Sequence, residues 1–523
     1  MDNLWEILGG VVVVSALLFV RNSWNSSNAP LPPGPRGGLP FIGPKVNKEK
    51  IQPWIAYQKL ADTYGDIIYH ENLGRKVVVV HTYKAAHDLL STRASIYSNR
   101  PVMTMARKLV GYDHSISLAD YGPRVAYMRK AVQTELAPKN LGRFRPLQHL
   151  EVSLFLGKLL EAPDNFFDHV RILIAYQIFS IAYGFRPKSD KEPLLASIKK
   201  MMEDFAVFAK PGNFKVDDFP SMRYIPEWFP GASFIKFGRE ARGRIFDVVL
   251  TPFDIVKSRI EKHDLTPSVV ATFLQSRDTS LPDTEDMLRW AAEAVFAAGS
   301  DTTASAILVF ILTMAMNPEV QDKAHAELDA WIGDEEFHLP SFDEDRNKLP
   351  YLDKILWEVF RFQPVIPLGL PHCTTQEDVY EGYRIPKGAT VFANLWAILN
   401  DGRIYPEPEK FDPDRYNRAV PEENINMDPR KVVFGFGRRI CVGQHLAEAS
   451  LWMAIASVLM VYKITPAKDN KGVNIPISAA FTPGVITRSL PFKCAFTPRS
   501  GKALALVKSS YADALAKVNT EIQ

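Results

Sequence analysis

The chain has 523 residues, of which 46% are hydrophobic and 23% charged, with a formal net charge of +3. This composition is typical of a globular protein, and so small a net charge does not indicate nucleic-acid binding. Length alone allows roughly two to four domains, yet no internal repeat or long linker divides the sequence, so residues 31–523 are expected to form one domain. Three cysteines, at 373, 441 and 494, are too few for a disulfide framework and indicate a reducing compartment.

The first 30 residues differ from the rest of the chain in their distribution of charged and apolar residues. An uncharged run covers residues 7–20, with Asp2 and Glu6 before it and Arg21 directly after it. This charge bias predicts a membrane anchor over residues 1–30, with its N-terminus in the lumen and the remaining chain in the cytosol. The run is shorter than the ~20 residues of a full span. A secretory signal peptide is therefore the alternative, although it would need a basic start.

The following segments predict a mainly α fold with a minor β region. Residues 30–40 are rich in proline and would form a semi-rigid spacer. The β-branched run at 77–81 predicts a short strand, and residues 379–385 predict a β-hairpin. Most of 147–332 has apolar residues at three- and four-residue spacing, which predicts helices. Residues 406–430 are dense in proline and charge, and predict an irregular coil.

A long apolar segment at 288–316 is interrupted by Ala-Ala-Gly-Ser-Asp-Thr-Thr at 297–303. On a helix, one face would carry Val295, Gly299, Thr302 or Thr303, and Ala306. Gly299 removes a side chain where a flat ligand could approach, and a mid-helix hydroxyl can bond one turn back and bend the helix. Asp301 offers a route for protons. Taken alone, the same pattern fits a crossing of small residues between core helices equally well.

Glu358 and Arg361 stand three residues apart and would be adjacent on one helix face. Apolar neighbours at 355–357 and Phe362 indicate that this face is not simply solvated. A buried pair needs further partners, and Arg415 could be the third member. In isolation, such spacing more often marks an exposed salt bridge.

Residues 434–443 read Phe-Gly-Phe-Gly-Arg-Arg-Ile-Cys-Val-Gly and precede an apolar stretch at 446–461. The glycines would let the backbone approach a large flat ligand. A helix beginning after the loop would direct its positive end toward Cys441 and lower its pKa. Arg439 could pair with a carboxylate on the bound group. The pattern favours a thiolate presented to a metal over a glycine-bracketed turn with a buried cysteine.

This loop resembles the haem-binding signature of the cytochrome P-450 monooxygenases and matches it at Phe434, Gly437, Arg439, Cys441 and Gly443. The resemblance covers about residues 30–500, with four motifs in the family's order. It implies the mainly helical haem-thiolate fold with a small sheet region. It also implies that Cys441 is the axial ligand of the iron of haem b, a thiolate that favours O–O cleavage.

Two further motifs resemble those of the family. Residues 298–302, Ala-Gly-Ser-Asp-Thr, resemble the A-G-x-D-T motif, which implies that Thr302 orients bound oxygen and that Asp301 helps deliver protons. Family members that only isomerise peroxides usually lack such a threonine, so its presence favours monooxygenation. The order of Glu358, Arg361 and Arg415 before the cysteine loop implies a triad that locks the fold and takes no part in catalysis.

The haem propionates need cationic or donor partners, and three residues stand where the family places them, namely Arg129, His372 and Arg439. The family's W-x-x-x-R motif, which ends at Arg129, carries Val125 in place of tryptophan here, and Ala126 replaces a frequent arginine. One or two propionate bonds are therefore expected to be missing or supplied by another group, for which Arg100 is a candidate.

Five stretches correspond by position to the family's substrate-recognition segments. Their bulky apolar residues are Met103, Met105, Phe205, Phe208, Phe296, Val365, Ile366, Leu368, Leu370, Val485 and Ile486. Such a lining predicts a neutral, lipophilic, medium-sized small-molecule substrate. The same residues would serve equally well as plain core.

No nicotinamide or flavin fingerprint is apparent, so electrons must come from a partner. Basic residues near the thiolate, Arg430, Lys431 and Arg438, could dock an acidic redox protein or form a solvated turn. For an anchored member, the resemblance implies an NADPH-dependent, flavin-containing reductase in the same endoplasmic reticulum membrane. The proline-rich hinge and residues 491–494 resemble fungal members that act in secondary metabolism.

The expected function is oxidation of a lipophilic small molecule by O₂, with electrons from NADPH through that reductase. Two alternatives keep Cys441. A haem-thiolate isomerase or dehydratase would need no reductase, and a non-catalytic haem sensor would have little use for Asp301 and Thr302.

Overall fold

The computed structural model describes residues 29–35, 51–187, 193–209, 212–263, 266–276, 283–333, 336–417 and 428–522. The α-helices in these ranges are α1 (Pro53–Tyr64), α2 (Tyr83–His87), α3 (Ala94–Tyr97), α4 (Pro123–Glu135), α5 (Pro138–Leu141), α6 (Arg145–Glu161), α7 (Phe166–Tyr183), α8 (Pro193–Phe208), α9 (Lys215–Asp218), α10 (Ser233–Glu261), α11 (Val269–Ser276), α12 (Thr284–Met316), α13 (Pro318–Ile332), α14 (Pro350–Phe362), α15 (Leu395–Leu399), α16 (Arg430–Val433), α17 (Gln444–Val461) and α18 (Gly501–Ile522). The strands are β1 (Ile67–Asn72), β2 (Arg75–Val80), β3 (His372–Cys373), β4 (Asp378–Tyr380), β5 (Tyr383–Ile385), β6 (Thr390–Ala393), β7 (Tyr462–Pro466) and β8 (Cys494–Pro498). The predicted mainly α fold with a minor β region is confirmed.

Helix α12 occupies the centre of the molecule and packs against α4, α7, α10, α14 and α17. Glu285 and Asp286 lie in its first turn, where negative charge is favourable against the helix dipole. The helix ends at Met316 because Asn317 precedes a proline, and that position disfavours the α conformation. Every residue from 303 to 315 is buried, so the C-terminal half of α12 is core.

The strands form three small sheets within the described ranges. The largest has the order β1-β2-β6-β3, in which β2 and β6 are parallel and the other pairs antiparallel. His372 of β3 pairs with Val391 of β6, so the sheet fixes the position of His372. The predicted hairpin at 379–385 is formed by β4 and β5, which turn through Glu381 and Gly382 at φ of 48° and 78°.

Two apolar clusters hold these elements together. One joins α4, α6, α7, α12, α14 and α17 in a continuous core. The other lies under the largest sheet, and Phe436 of the cysteine-containing loop belongs to it together with Val78 and Val391. The loop is therefore packed against the sheet on one side, while α17, which follows it, belongs to the main core.

Helices α12 and α17 are long and apolar enough to cross a membrane by composition alone. In the fold, 67% and 83% of their most apolar windows are buried, so their apolar surfaces are used in packing. The predicted anchor is a different segment, and its apolar run at 7–20 lies outside the described residues.

The structure brings Glu358, Arg361 and Arg415 together in a network with side-chain exposures of 0%, 0% and 1%. Arg361 donates two hydrogen bonds to the Glu358 carboxylate, at 2.9 and 2.7 Å, and Nε of Arg415 donates a third at 3.1 Å. The Tyr416 hydroxyl and the Asp412 amide also donate to Glu358, each at 3.0 Å. Burial lowers the pKa of Arg361, but the ion pair with Glu358 outweighs it, and the net shift is upward.

The same network fixes the irregular segment that follows α15. Arg361 donates to the carbonyls of Pro408 and Lys410, and Arg415 donates to those of Pro406 and Lys410. Residues 406–412 lack regular structure, as predicted, and Pro413–Asn417 form one 3₁₀ turn. Buried side chains therefore supply the bonds that regular structure does not provide here.

A Glu358→Ala variant would leave two buried guanidinium groups without their shared counter-ion. We expect the free energy of unfolding to fall by roughly 3–5 kcal/mol, as measured by urea denaturation followed by circular dichroism. Asp168→Ala is the matched control, because Asp168 and Arg171 form an exposed pair at the same spacing, 72% and 54% exposed. Its loss should cost at most about 1 kcal/mol. Equal losses in the two variants would contradict the assigned role of Glu358.

Candidate active site

A large cavity lies between α12 and the loop that carries Cys441. It contains about 1700 Å³ of empty space when the part open to solvent is included, and most of its lining is apolar. Of the three cysteines in the chain, Cys441 lines this cavity, whereas Cys373 and Cys494 lie in strands β3 and β8.

The Cys441 loop is held in shape by backbone contacts. The Cys441 amide donates to the Phe434 carbonyl at 2.7 Å, and Gly435 and Gly437 adopt φ of 76° and 53°. A side chain at Gly437 would place its Cβ 2.2 Å from the Leu90 carbonyl oxygen. Gly437 is thus required both by its left-handed backbone conformation and by the closeness of its neighbour.

The electrostatic surroundings of Cys441 differ in part from the prediction. Helix α17 begins three residues later, at Gln444, and the Gly443 amide hydrogen-bonds the sulfur. Cys441 is exposed to the cavity, but the surrounding protein atoms desolvate its thiol and raise the pKa, and this outweighs the lowering by Gly443 and by the charge of Arg129. The predicted lowering by the start of the helix is therefore opposed by desolvation in the protein alone. A bound metal would reverse the balance, because it deprotonates a coordinating thiol.

The opposite wall of the cavity is the middle of α12. The face predicted from helical spacing lines the cavity, with Val295, Gly299, Thr302, Thr303 and Ala306. The Thr302 hydroxyl donates to the Ala298 carbonyl one turn back at 2.7 Å, as expected. The Thr303 hydroxyl is buried with no hydrogen-bond partner among the described residues. Two hydroxyl groups are therefore available at this wall.

Gly299 has a further role that its position in the sequence did not reveal. A Cβ at this position would lie 3.2 Å from Ile178 of α7, which is closer than ordinary van der Waals contact. Both residues line the cavity. The absent side chain therefore lets α7 approach α12 as well as keeping the cavity wall flat.

Asp301 does not line the cavity next to Thr302. Its carboxylate pairs with Arg488, whose Nε and Nη2 lie 3.0 and 2.5 Å from its two oxygens. The two residues are 187 positions apart in the chain. Sequence reasoning missed Arg488, because no local pattern links it to α12.

Four basic side chains converge at one end of the cavity, namely Arg100, Arg129, His372 and Arg439. Arg439 donates to the carbonyls of Ser98, Ile116 and Ala119, and Arg129 donates to that of Ile440. Arg100, the candidate substitute for the missing tryptophan, does lie here and donates to the carbonyls of Ser117, Leu370 and Pro371. Among the described residues, none of the three arginines forms an ion pair with a carboxylate.

The positive charge of this basic cluster is therefore compensated only weakly, by Asp120 at longer range. Burial and mutual repulsion with Arg129 lower the pKa of Arg439 to about 10, and burial followed by the charges of Arg439 and Arg129 lowers that of Arg100. Burial and then Arg100 lower the pKa of His372 to about 3, so its ring is neutral at physiological pH. The Nδ1 atom of His372 lies 2.7 Å from the Tyr97 carbonyl, which fixes the tautomer with its proton on Nδ1. An anionic ligand would relieve the repulsion among these groups.

Of the eleven predicted substrate-lining residues, Val365, Ile366, Leu368 and Leu370 lie in the cavity wall. Met105, Phe208 and Phe296 are at most 1% exposed and belong to the main core, and Met103, Phe205 and Val485 pack against it half-buried. Ile486 does not line the cavity either. The apolar wall is therefore contributed mainly by α12 and by residues 364–370, which follow α14.

The basic residues predicted to dock a redox partner are only partly free. Lys431 and Arg438 are exposed. Arg430 instead pairs with Asp428 and Glu448 and lies over the Trp357 ring. Two of the three side chains are thus accessible to a partner.

Comparisons with known proteins agree with this arrangement. The cytochrome P-450 family model matches residues 32–496. The chain is 36% identical to cytochrome P-450 monooxygenase 208 of Postia placenta over 516 residues, which is 98% of this chain and 99% of that protein. It is also 36% identical to tryptamine 4-monooxygenase of Psilocybe cyanescens over 502 residues, 95% and 98% of the two chains.

The chain therefore belongs to the cytochrome P-450 family, whose fold is built around a haem with a thiolate ligand. It is a monooxygenase of that family and resembles fungal members along nearly its whole length.

Two glycine variants test whether the shape of the loop controls haem binding. Gly437→Ala would strain the backbone and place its Cβ 2.2 Å from the Leu90 oxygen, so we expect most of the bound haem to be lost. Gly435→Ala carries the same kind of backbone strain, of order 1–2 kcal/mol, but its Cβ would have no neighbour nearer than 4.0 Å. It should keep most of its haem. The measurement is the haem-to-protein ratio of the purified variants, and equal ratios would contradict the argument.

Proposed function

We propose that the chain is a membrane-anchored haem-thiolate monooxygenase that oxidises a neutral, lipophilic small molecule, with Cys441 as the iron ligand of haem b. One observation carries the proposal. A single cavity is lined by Cys441, by the Thr302 face of α12 and by a cationic cluster whose arginines form no ion pair among the described residues. These are the three kinds of group that a porphyrin with a thiolate ligand and two carboxylates would contact.

The cationic cluster fits the two propionates of haem. We infer that Arg129, Arg439 and His372 hold them, with Arg100 in place of the absent tryptophan. Arginine matches carboxylates in bidentate geometry, and charge-assisted hydrogen bonds are stronger than neutral ones. Arg439 and Arg100 donate to backbone carbonyls at present, so these bonds would be shared or exchanged when the propionates bind.

Haem held in this way supplies an iron centre at which O₂ is reduced by two electrons. One oxygen atom enters the substrate and the other leaves as water, with two protons consumed. The residues of this chain would control those protons. Thr302 presents a hydroxyl at the cavity wall, and its bond to the Ala298 carbonyl leaves the oxygen free to accept a further hydrogen bond. Asp301, one residue earlier, does not line the cavity, and its side chain is 17% exposed, so it would exchange protons with solvent.

The cavity wall supports a neutral substrate. No aspartate or glutamate lines it among the residues described, and α12 and residues 364–370 contribute aliphatic side chains. A basic amine such as the tryptamine in the name of one relative would find no counter-ion on this wall. We therefore propose an uncharged lipophilic compound, consistent with a role in fungal secondary metabolism.

The remaining proposals concern location and partners. Residues 31–523 would form one catalytic domain in the cytosol, which is supported by the family match from residue 32 to 496. The apolar run at 7–20 would anchor it in the endoplasmic reticulum membrane. Electrons would come from NADPH through a flavin-containing reductase, and the exposed Lys431 and Arg438 would contact an acidic face of that protein.

The dependence on reductase separates this function from a haem-thiolate isomerase or dehydratase. Membranes containing the protein would be incubated with a panel of neutral terpenes and aromatic compounds, with NADPH, and with or without added reductase. We expect oxygenated products only when both are present, with one atom of ¹⁸O from labelled O₂. Conversion without reductase would contradict the proposed reaction.

Replacing Thr302 by Ala removes the hydroxyl from the cavity wall. We expect product formed per NADPH to fall at least about tenfold, while the haem content stays unchanged and Thr302→Ser retains most of the activity. Thr313→Ala is the matched control, because this buried threonine of the same helix also bonds a carbonyl of its own helix. It does not line the cavity and should leave product per NADPH unaltered. Unchanged product in Thr302→Ala would overturn the assigned role of the hydroxyl.

A further inference from the structure

The ion pair between Asp301 and Arg488 joins two distant parts of the chain at the back of the cavity wall. Both guanidinium contacts are short and reach different carboxylate oxygens, so the carboxylate is held in one orientation. The Asp301 side chain is 17% exposed and that of Arg488 is 34% exposed. Both members of the pair are therefore partly accessible to solvent, and one of them is the residue that precedes Thr302.

Arg488 is carried by a well-anchored loop, residues 480–490. Thr482 and Arg488 bond each other, since the Thr482 amide donates to the Arg488 carbonyl at 2.9 Å and the Arg488 amide donates to the Thr482 hydroxyl at 3.0 Å. The Leu490 amide donates to the Ala480 carbonyl at 2.8 Å. These bonds fix the backbone from which the guanidinium projects.

The loop is also attached to the cavity wall. The Thr487 amide donates to the Val365 carbonyl at 2.8 Å, and the Gln363 amide group donates to the Thr487 hydroxyl at 3.3 Å. Val365 itself lines the cavity. A continuous chain of contacts thus leads from the cavity wall through Thr487 to Arg488 and then to Asp301.

We propose that Arg488 is a positioning residue that holds Asp301 for proton delivery to Thr302. This inference rests on the proposed function and extends it to a residue on a separate loop. With both oxygens bonded to one guanidinium, the carboxylate keeps a single orientation at the position directly before Thr302 in α12. The Thr487 amide is bonded to the Val365 carbonyl, and Arg488 follows Thr487 in the chain. A ligand that displaces Val365 would therefore also displace the ion pair.

The first test uses hydrogen–deuterium exchange of the full-length, haem-loaded protein. If the ion pair fastens the loop to α12, Arg488→Leu and Asp301→Asn should each speed exchange of amides in residues 480–490, by similar factors. The double variant should exchange no faster than either single variant. Unaltered exchange in both single variants would show that the ion pair does not hold the loop, and would overturn the proposal without any assay of activity.

The second test measures protons directly and needs no substrate. With excess reductase and NADPH, the protein reduces O₂ either to hydrogen peroxide, with two electrons and two protons, or to water, with four of each. We expect Arg488→Leu to slow NADPH oxidation about tenfold and to enlarge the ratio of rates in H₂O and D₂O. Arg488→Lys, which keeps the charge, should recover part of the rate.

Two comparisons distinguish positioning from a general effect on the fold. Thr482→Val removes a bond within the loop but leaves the guanidinium in place, so its isotope ratio should match that of the unaltered protein. The Asp301→Asn/Arg488→Leu double variant should match Asp301→Asn alone, since Arg488 acts through Asp301. The proposal would be overturned if the effects of the two substitutions on the isotope ratio multiplied in the double variant. It would also be overturned if Arg488→Leu and Thr482→Val had the same isotope ratio. If the unaltered protein does not oxidise NADPH with reductase, the proposed function fails. Hydrogen–deuterium exchange would still show whether the ion pair holds residues 480–490 against α12.

Discussion

The fully buried carboxylate of Glu358 is the interaction on which the frame around the cavity depends. It accepts hydrogen bonds from Arg361, Arg415, Tyr416 and the Asp412 amide, and the two arginines in turn bind carbonyls of residues 406–410. Helix α14 is thereby tied to the irregular segment that leads toward the Cys441 loop, and Phe360 of α14 packs edge-on against Phe434 of that loop. Two buried cations around one buried anion tolerate little displacement, because the loss of any member leaves an unpaired charge.

Whereas the charges around Glu358 are paired, the cavity contains a cluster of positive charges that form no ion pair among the described residues. Arg100, Arg129 and Arg439 lie close enough to repel one another, and their hydrogen bonds go to neutral carbonyls. A cluster of this kind is costly in the protein alone and becomes favourable when an anion binds. The same reasoning applies to Cys441, because desolvation disfavours its thiolate and a bound metal would favour it. In the proposed function, the haem would complete both the cationic end of the cavity and the chemistry of this sulfur.

The features that could be predicted from the sequence are those formed by residues close together in the chain. The cavity face of α12 follows from helical periodicity, and the Cys441 loop and the Glu358–Arg361 pair lie within ten residues each. Contacts between distant segments could be predicted only where the family resemblance supplied them, as for Arg415 with Glu358. Arg488 belongs to no such motif, and nothing near it in the sequence points to Asp301. The core positions of Phe208 and Phe296 were also not distinguished from a cavity lining, because they depend on how many atoms surround a residue, which local pattern does not reveal.

The central claim is that Cys441 presents a thiolate to haem iron, and a carbon monoxide difference spectrum of reduced membranes containing the protein tests it most directly. The account predicts the red-shifted Soret band of a thiolate-ligated haem, and predicts that Cys441→Ser abolishes it. A band at the unshifted position in the unaltered, haem-loaded protein, or a red-shifted band that survives in Cys441→Ser, would contradict the account.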